Sequence, residues 1–278
     1  MAIKLIGIDI DGTLINSKTE LTQATIDALQ TAADHGIEVV ISTGRLLSEY
    51  AYLVEQLPMM RYTVTCSGAQ VLDLREQRTI FRRPLSDTEL RDIYGRLRDL
   101  DCLMQIFDDH DGRIHNRASD LAQAERFCGS DLARMLRREH IPEDDLDAYV
   151  ANYRGVTNKV HMFFADPAVK AQAAARLEGV SYQVLDSAHW DLELTADGVD
   201  KALGLDALAR HLGLTAQQVM AIGDGGNDLA MIRYAGLGVA MANASEEVKA
   251  AADRITASND EDGVAKIIYD ILEEQYEH

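Results

Sequence analysis

Two stretches at opposite ends of the chain put carboxylates beside glycines after an apolar run. Asp9-Ile10-Asp11-Gly12-Thr13 follows Ile3 to Ile8, and Gly223-Asp224-Gly225-Gly226-Asn227-Asp228 follows Val219 to Ile222. Each apolar run reads as a buried strand. Acids two residues apart at a strand end point to the same side of the chain, and Gly12 lets the backbone turn sharply there. Carboxylates this crowded need a cation, and hard oxygen ligands suit Mg²⁺. Taken alone, Asp-Gly also reads as a plain turn. A calcium EF-hand loop fits poorly, because no third acid precedes Gly12 and no glutamate closes a loop at the twelfth position. Two separate strands that both end in acids favour a metal site over two unrelated turns.

The elements that would carry these stretches can be read from pattern. Thr22 reads as the N-cap of a helix ended by Gly36, and Ile37 to Ser42 as a second buried strand. Thr43-Gly44-Arg45 sits at that strand's end, where a hydroxyl and a backbone amide can donate to a phosphate oxygen. A helix over 46–56 and a third strand, Tyr62 to Cys66, follow, then Ser67-Gly68-Ala69 and a hairpin, Gln70 to Leu74 with Arg78 to Phe81. From Arg83 the pattern changes. Ser86 and Glu89 form a capping box, Leu103 to Phe107 and Arg113 to His115 read as strands, and residues 118–150 as helical. Asp108-Asp109-His110-Asp111-Gly112 resembles a metal loop but reads better as a hairpin turn. Lys159 to Phe164 is a strand, Asp166-Pro167 opens a helix, and Tyr182 to Leu185 and Trp190 to Leu194 are strands. The first pattern then returns: a helix opening at Lys201, strand Val219 to Ile222, a helix over 227–234, strand Leu237 to Ala240, and a last helix from Gly263. Strand–helix alternation at both ends predicts one parallel sheet made of two sequence segments.

In order along the chain, Asp9-x-Asp11-Gly12-Thr13, Thr43-Gly44-Arg45, Lys201 and Gly223-Asp224-x-x-Asn227-Asp228 resemble the four motifs of the haloacid dehalogenase (HAD) superfamily. Gly238-Val239-Ala240-Met241-x-Asn243-Ala244 extends the resemblance to the Cof-type sugar-phosphate phosphatases of subclass IIB. The likeness spans the chain and is weaker in the middle. It implies an α/β fold: a doubly wound, Rossmann-like parallel-sheet core over residues 1–82 and 190–278, with an inserted α/β cap of the C2 type over 83–189 that sets substrate specificity. One departure stands out, since Ser67 occupies a position where the family usually has asparagine.

The resemblance also implies a chemistry, Mg²⁺-dependent hydrolysis of small phosphorylated metabolites, sugar phosphates above all, through an aspartyl-phosphate. Asp9 would be the nucleophile; a carboxylate with an ordinary pKa of roughly 4 needs no base to activate it. Asp11 would ligate the metal through its backbone carbonyl and use its side chain as acid and then base. Asp224 would be the second carboxylate ligand, with Asp228 acting through water or as support. Lys201 would neutralise the transferring phosphoryl group, and Thr43, Gly44, the amide of Ile10 and Asn227 would complete the phosphate cradle. Arg45 would contact substrate, and Asn243 would support the loop. His189 and Trp190, the only tryptophan, read as packing or hinge residues where the insert ends. Two alternatives stay open: a phosphosugar mutase of the same superfamily, which returns the phosphoryl group to a sugar, and a receiver-type phospho-aspartate signalling module. The second fits worse, because the paired acids end the first strand and a long insert interrupts the sheet.

Composition narrows the classes. The net charge of −19 argues against general binding to nucleic acid or an anionic membrane. That charge is uneven: residues 75–160 carry 15 Lys+Arg against 17 Asp+Glu, and the remainder 12 against 29. The arginines of the middle segment read mostly as solvated surface, a few as attractors of an anionic substrate. No apolar run reaches the roughly 18 residues of a membrane span, and the start lacks a signal-peptide pattern. Cys66, Cys102 and Cys128 are widely spaced and form no metal pair or disulfide framework. A cytoplasmic enzyme with reduced thiols is expected; monomer and homodimer both remain open.

Overall fold

The computed structural model describes residues 2–108, 112–185 and 190–276. Its strands are β1 (Leu5–Ile8), β2 (Glu38–Ser42), β3 (Tyr62–Thr65), β4 (Gln70–Asp73), β5 (Arg78–Arg82), β6 (Cys102–Asp108), β7 (Arg113–Arg117), β8 (Ile141–Glu143), β9 (Thr157–Phe164), β10 (Gln183–Leu185), β11 (Asp191–Thr195), β12 (Val219–Gly223), β13 (Leu237–Ala240) and β14 (Arg254–Ile255). The described chain forms two compact units, one from residues 2–45, 50–82 and 200–276, the other from 46–49, 83–108, 112–185 and 190–199.

The first unit is built on an eight-stranded sheet ordered β14-β13-β12-β1-β2-β3-β4-β5. The six strands from β14 to β3 are parallel, and the hairpin β4–β5 joins antiparallel to β3. β1 is wholly buried near the centre, as its unbroken Leu-Ile-Gly-Ile run requires of a strand covered on both faces. On one face Leu5, Val40, Val64, Val219 and Ala221 pack against Leu205, Leu208 and Met231 of helices Lys201–His211 and Leu229–Tyr234. Helices Gln23–Asp34 and Gly263–Tyr276 pack on each other, the first also against β2. The doubly wound parallel core expected from the alternation is therefore present. The local signals also hold: Thr22, Ser86 and Asp166 each cap a helix by accepting a backbone amide, and Asp200 does the same for the helix that opens at Lys201.

The second unit has a six-stranded sheet ordered β10-β11-β9-β6-β7-β8, antiparallel except for β7 with β8. Its strands alternate. Met104, Ile106, Val160, Met162, Leu192 and Leu194 share one face, and Gln105, Lys159, His161, Asp191 and Glu193 the other. On the polar face Lys159 Nζ lies 3.3 Å from Glu193 and 4.5 Å from the Phe107 ring centre, and His161 Nε2 lies 3.1 Å from Asp191. Buried Gln105 finds no partner for its side-chain nitrogen among the described residues.

Three expectations change. The return to the first unit comes at Asp200 rather than residue 190, because β11 is hydrogen-bonded to β9 and β10 in the second sheet. The helical stretch 118–150 is broken into four helices and the short strand β8, which hydrogen-bonds parallel to β7. Of the two roles expected for Trp190, packing or hinge, its 54% exposure removes packing. Asp109, His110, Asp111 and His189 lie outside the described residues; the strands flanking the first three pair antiparallel, with Asp108 opposite Arg113.

Between β3 and β4, Cys66 (φ 52°) and Ser67 (φ 57°) both take the left-handed conformation, followed by Gly68 at φ 95°. Asparagine tolerates that region better than serine does, a physical reason for its use at position 67 in the resembled family. A Cβ on Gly68 would strike the carbonyl of Asp200, the cap of the Lys201 helix. By contrast Gly36, at φ 73°, has open space around it. Gly68→Ala should therefore lower stability by about 2–5 kcal/mol and Gly36→Ala by only about 1–2 kcal/mol. Denaturant unfolding of both variants checks this; equal losses would show that φ alone, and not the packing against Asp200, makes Gly68 necessary.

Candidate active site

Register brings the motifs together. Ile8 of β1 pairs with Ile222 of β12 on one side and Ile41 of β2 on the other, so three neighbouring strands end at one level. Their exits carry Asp9–Thr13, Gly223–Asp228 and Thr43–Arg45. β1 is where the strand order reverses, and the carboxyl ends at such a reversal form a crevice in open α/β sheets.

After β1 the backbone closes a wide turn, with the Leu14 amide donating to Asp9 O at 3.1 Å and the Ile15 amide to Ile10 O at 3.2 Å. Asp11 is extended within it (ψ 121°), and Gly12 reverses the chain at φ 74°. A Cβ on Gly12 would run into the Asp224 carboxylate, and one on Gly223 into that of Asp228. The glycines thus permit the acids to approach. Thr13 Oγ1 donates to Asp224 Oδ1 at 3.1 Å, a role its place in the motif did not disclose.

Asp9, Asp224 and Asp228 converge, with one oxygen from each within 4.8 Å of the others. Lys201, buried at the start of its helix, donates to Asp9 Oδ1 and to Asp228 Oδ1, both at 2.6 Å. Asp228 Oδ2 accepts the amides of Asp224 (2.9 Å) and Gly225 (3.0 Å), which fixes the loop that carries Asp224. Asp9 Oδ2 makes no hydrogen bond among the described residues, and one of the three Lys201 N–H donors is left over.

The electrostatics report a shortage of positive charge. Burial raises the pKa of Asp9 well above the ordinary carboxylate range, and Asp228 adds to this; Lys201 opposes but does not cancel it. Asp224 is pushed up to about 6 by burial and by Asp228. Burial works against the charge on Lys201, yet the two carboxylates overcome this and hold it protonated. Three acids facing one ammonium, all offering hard oxygen donors, fit a divalent cation of the magnesium kind.

Asp11 is placed otherwise. Its carboxylate does not join the three acids and is not free: Arg45 grips it from Nε to Oδ2 at 2.9 Å and from Nη2 to Oδ1 at 2.5 Å. Arg45, expected on substrate, is thus committed to Asp11 in this structure. Nothing in the sequence signalled a pair between these two loops. Thr43 Oγ1 accepts the Arg45 amide at 3.2 Å, which leaves its O–H able to donate. Ile10 is buried, Gly44 follows Thr43 at the end of β2, and the Asn227 side chain makes no hydrogen bond among the described residues. Asn243 donates to Gly12 O at 2.8 Å and is itself held by the Asn259 amide at 3.1 Å, so it braces the turn. Sequence reasoning missed Asn259, which also donates to Ile15 O. The arginines of the second unit mostly meet neighbouring acids: Arg96 with Asp92, Arg98 with Asp147, Arg126 with Asp101 and Arg176 with Asp99.

Comparison with known proteins identifies the family. A family model for haloacid dehalogenase-like hydrolases matches residues 6–268. A curated relative, the 5-amino-6-(5-phospho-D-ribitylamino)uracil phosphatase YcsE of Bacillus subtilis (strain 168), is 33% identical over 96% of this chain and 94% of its own. The phosphatase YwpJ of the same strain is 28% identical over 97% and 100%. Among solved structures, a haloacid dehalogenase-like hydrolase from Bacteroides thetaiotaomicron has a TM-score of 0.83 at 30% identity, covering 97% of this chain and 99% of its own. Another from B. subtilis scores 0.82 at 27% identity, covering 96% and 99%. No described helix is long and apolar enough to cross a membrane. The chain belongs to the haloacid dehalogenase-like hydrolases, in their Cof-type branch, and is a phosphoric monoester hydrolase acting on small phosphorylated compounds.

Proposed function

We propose that this enzyme hydrolyses the phosphate ester of a sugar or short polyol, with Mg²⁺, through a phosphoryl group carried on Asp9. One observation carries the reading. Asp9 is buried and anchored through Oδ1 by Lys201, while Oδ2 makes no hydrogen bond among the described residues at the point where three strands end. A carboxylate held by one oxygen and free at the other is a positioned nucleophile.

In the first step Asp9 Oδ2 attacks phosphorus, the ester P–O bond breaks, and the electron pair leaves on the alcohol oxygen, which takes a proton from Asp11. In the second, water attacks the same phosphorus, the P–O bond to Asp9 breaks, and Asp11 takes the water's proton. Lys201, with its remaining N–H, and the Thr43 hydroxyl, the Gly44 and Ile10 amides and the Asn227 amide group would hold the phosphoryl oxygens. Asp9, Asp224 and Asp228, with the Asp11 carbonyl, would hold the metal. When bound, Mg²⁺ neutralises charge on the phosphoryl group and the carboxylates and aligns them for in-line attack. The second unit would act as the specificity domain. Its support is the cluster of Gln105, Lys159, His161, Asp191 and Glu193 on one face of its sheet, side chains of the donor and acceptor types that hydroxyl-rich groups demand. The name of YcsE, a phosphatase of a ribityl phosphate, points to the same substrate class.

Phosphate release from a panel of sugar and polyol phosphates tests the reading. It should require Mg²⁺ and fall at least about 10⁴-fold in Asp9→Asn. Release that survives the substitution would contradict the assignment of Asp9.

Asp224 yields a second, independent expectation. Its folded pKa of about 6 lies above the ordinary 3.8. Between those values the folded chain binds more protons than the unfolded one, so its contribution to stability falls as pH rises through that window. In chelator, the thermal midpoint of wild type should drop between about pH 4 and 6, and that of Asp224→Asn should drop less. Near neutral pH, added Mg²⁺ should raise the wild-type midpoint and leave Asp224→Asn nearly unchanged. Parallel pH curves and equal responses to the metal would remove Asp224 from the metal site.

A further inference from the structure

Arg45 was expected to reach for substrate, and its guanidinium instead forks onto both oxygens of Asp11. The two side chains differ in exposure, 23% for Arg45 and 61% for Asp11. An exposed aspartate on a loop would ordinarily spread over several rotamers. The fork fixes both the direction and the plane of this one. It occupies one lone-pair site on each oxygen, and a carboxylate has about four such sites, so proton transfer can use the others.

The backbone of Arg45 is itself braced. Its amide donates to Thr43 Oγ1, and its carbonyl accepts both the Cys66 amide, at 3.1 Å, and the hydroxyl of Thr65. The Ser67 amide donates to Thr43 O at 3.0 Å, which ties the same two loops a second time. Cys66 and Ser67 hold left-handed dihedrals to make these bonds. Such conformations are costly for residues other than glycine and persist only where the surroundings impose them. The strained exit of β3 therefore anchors the base of Arg45, and Arg45 anchors the tip of Asp11.

We propose that Arg45 is a positioning residue for the proton-transferring carboxylate of Asp11 and not a ligand of the substrate phosphate. The proposal rests on Asp11 serving as the acid and base of phosphoryl transfer. Leaving-group dependence separates the two roles. An alkyl phosphate, whose alkoxide leaves poorly, needs the proton from Asp11; p-nitrophenyl phosphate, whose phenolate leaves unaided, does not. The parameter to compare is kcat/KM, which reports steps up to the departure of the leaving group.

The experiment measures kcat/KM for the best sugar or polyol phosphate and for p-nitrophenyl phosphate, with Mg²⁺, in the full chain and in Arg45→Ala, Arg45→Lys, Asp11→Asn and the Arg45→Ala/Asp11→Asn double variant. Thermal midpoints establish that each is folded. In Arg45→Ala the ratio of the alkyl to the aryl value should fall about 10–100-fold, a part of the 10²–10⁴-fold worth of a positioned acid. Arg45→Lys, which keeps the charge but loses the fork, should recover only a fraction of that ratio. The double variant should be no worse than Asp11→Asn, because the two residues act as a unit. Equal losses on both substrates would make Arg45 a phosphate ligand and overturn the proposal, as would an unchanged ratio or losses that multiply in the double variant. A wild-type enzyme inert on both substrates would instead defeat the phosphatase reading beneath it.

Discussion

The Lys201 ammonium lies 2.6 Å from a carboxylate oxygen of Asp9 and 2.6 Å from one of Asp228, all three side chains buried. Removing water from such groups costs several kcal/mol per ion, and only close opposite charge and full hydrogen bonding offset it. Much of the first unit can be understood as the means of meeting that demand. The central strand delivers Asp9, β12 delivers the loop whose amides hold Asp228, and the Asp200 cap starts the helix at Lys201. Glycines stand at 12, 68 and 223, where a methyl group would strike Asp224, Asp200 or Asp228. Even so the cluster remains short of positive charge, as the raised Asp9 and Asp224 show. That residual imbalance gives a divalent cation a reason to bind.

Two kinds of acid emerge from one short motif. Asp9 and Asp11 are separated by a single residue, yet one is buried against a lysine and the other lies outward against an arginine. The extended Asp11 and the reversal at Gly12 send the two side chains into different surroundings. A reaction that needs both a fixed nucleophile and a mobile proton benefits from such a division, since each group can be held without constraining the other.

What could be read from the sequence was what local chemistry or repetition writes there. Helix caps at Thr22, Ser86 and Asp166 depend on a few adjacent residues. The unbroken apolar strands of the parallel sheet announce burial on both faces. That Asp9 and Asp224 meet across most of the chain's length followed from each lying at a strand's exit, once the alternation implied a single sheet, and Asp228 joins them from the start of the next helix. β11 was harder, because its Asp-Leu-Glu-Leu alternation fits the edge of either unit; its partners in the second sheet decide the matter. β8, three residues including Pro142, is too short for a periodic signal. The Arg45–Asp11 fork and the strained Cys66-Ser67 pair carry no sequence pattern at all, since both arise from how two loops end beside each other.

The central claim is that phosphate passes through a covalent bond to Asp9. Acid quenching of the wild-type enzyme during turnover of a good substrate, followed by peptide mapping, tests it most directly. The account predicts a phosphoryl group on the peptide bearing Asp9, sensitive to hydroxylamine as an acyl phosphate is, and absent in Asp9→Asn. Full turnover with no phosphoryl group on that peptide at any quench time, or with one on a different side chain, would contradict it.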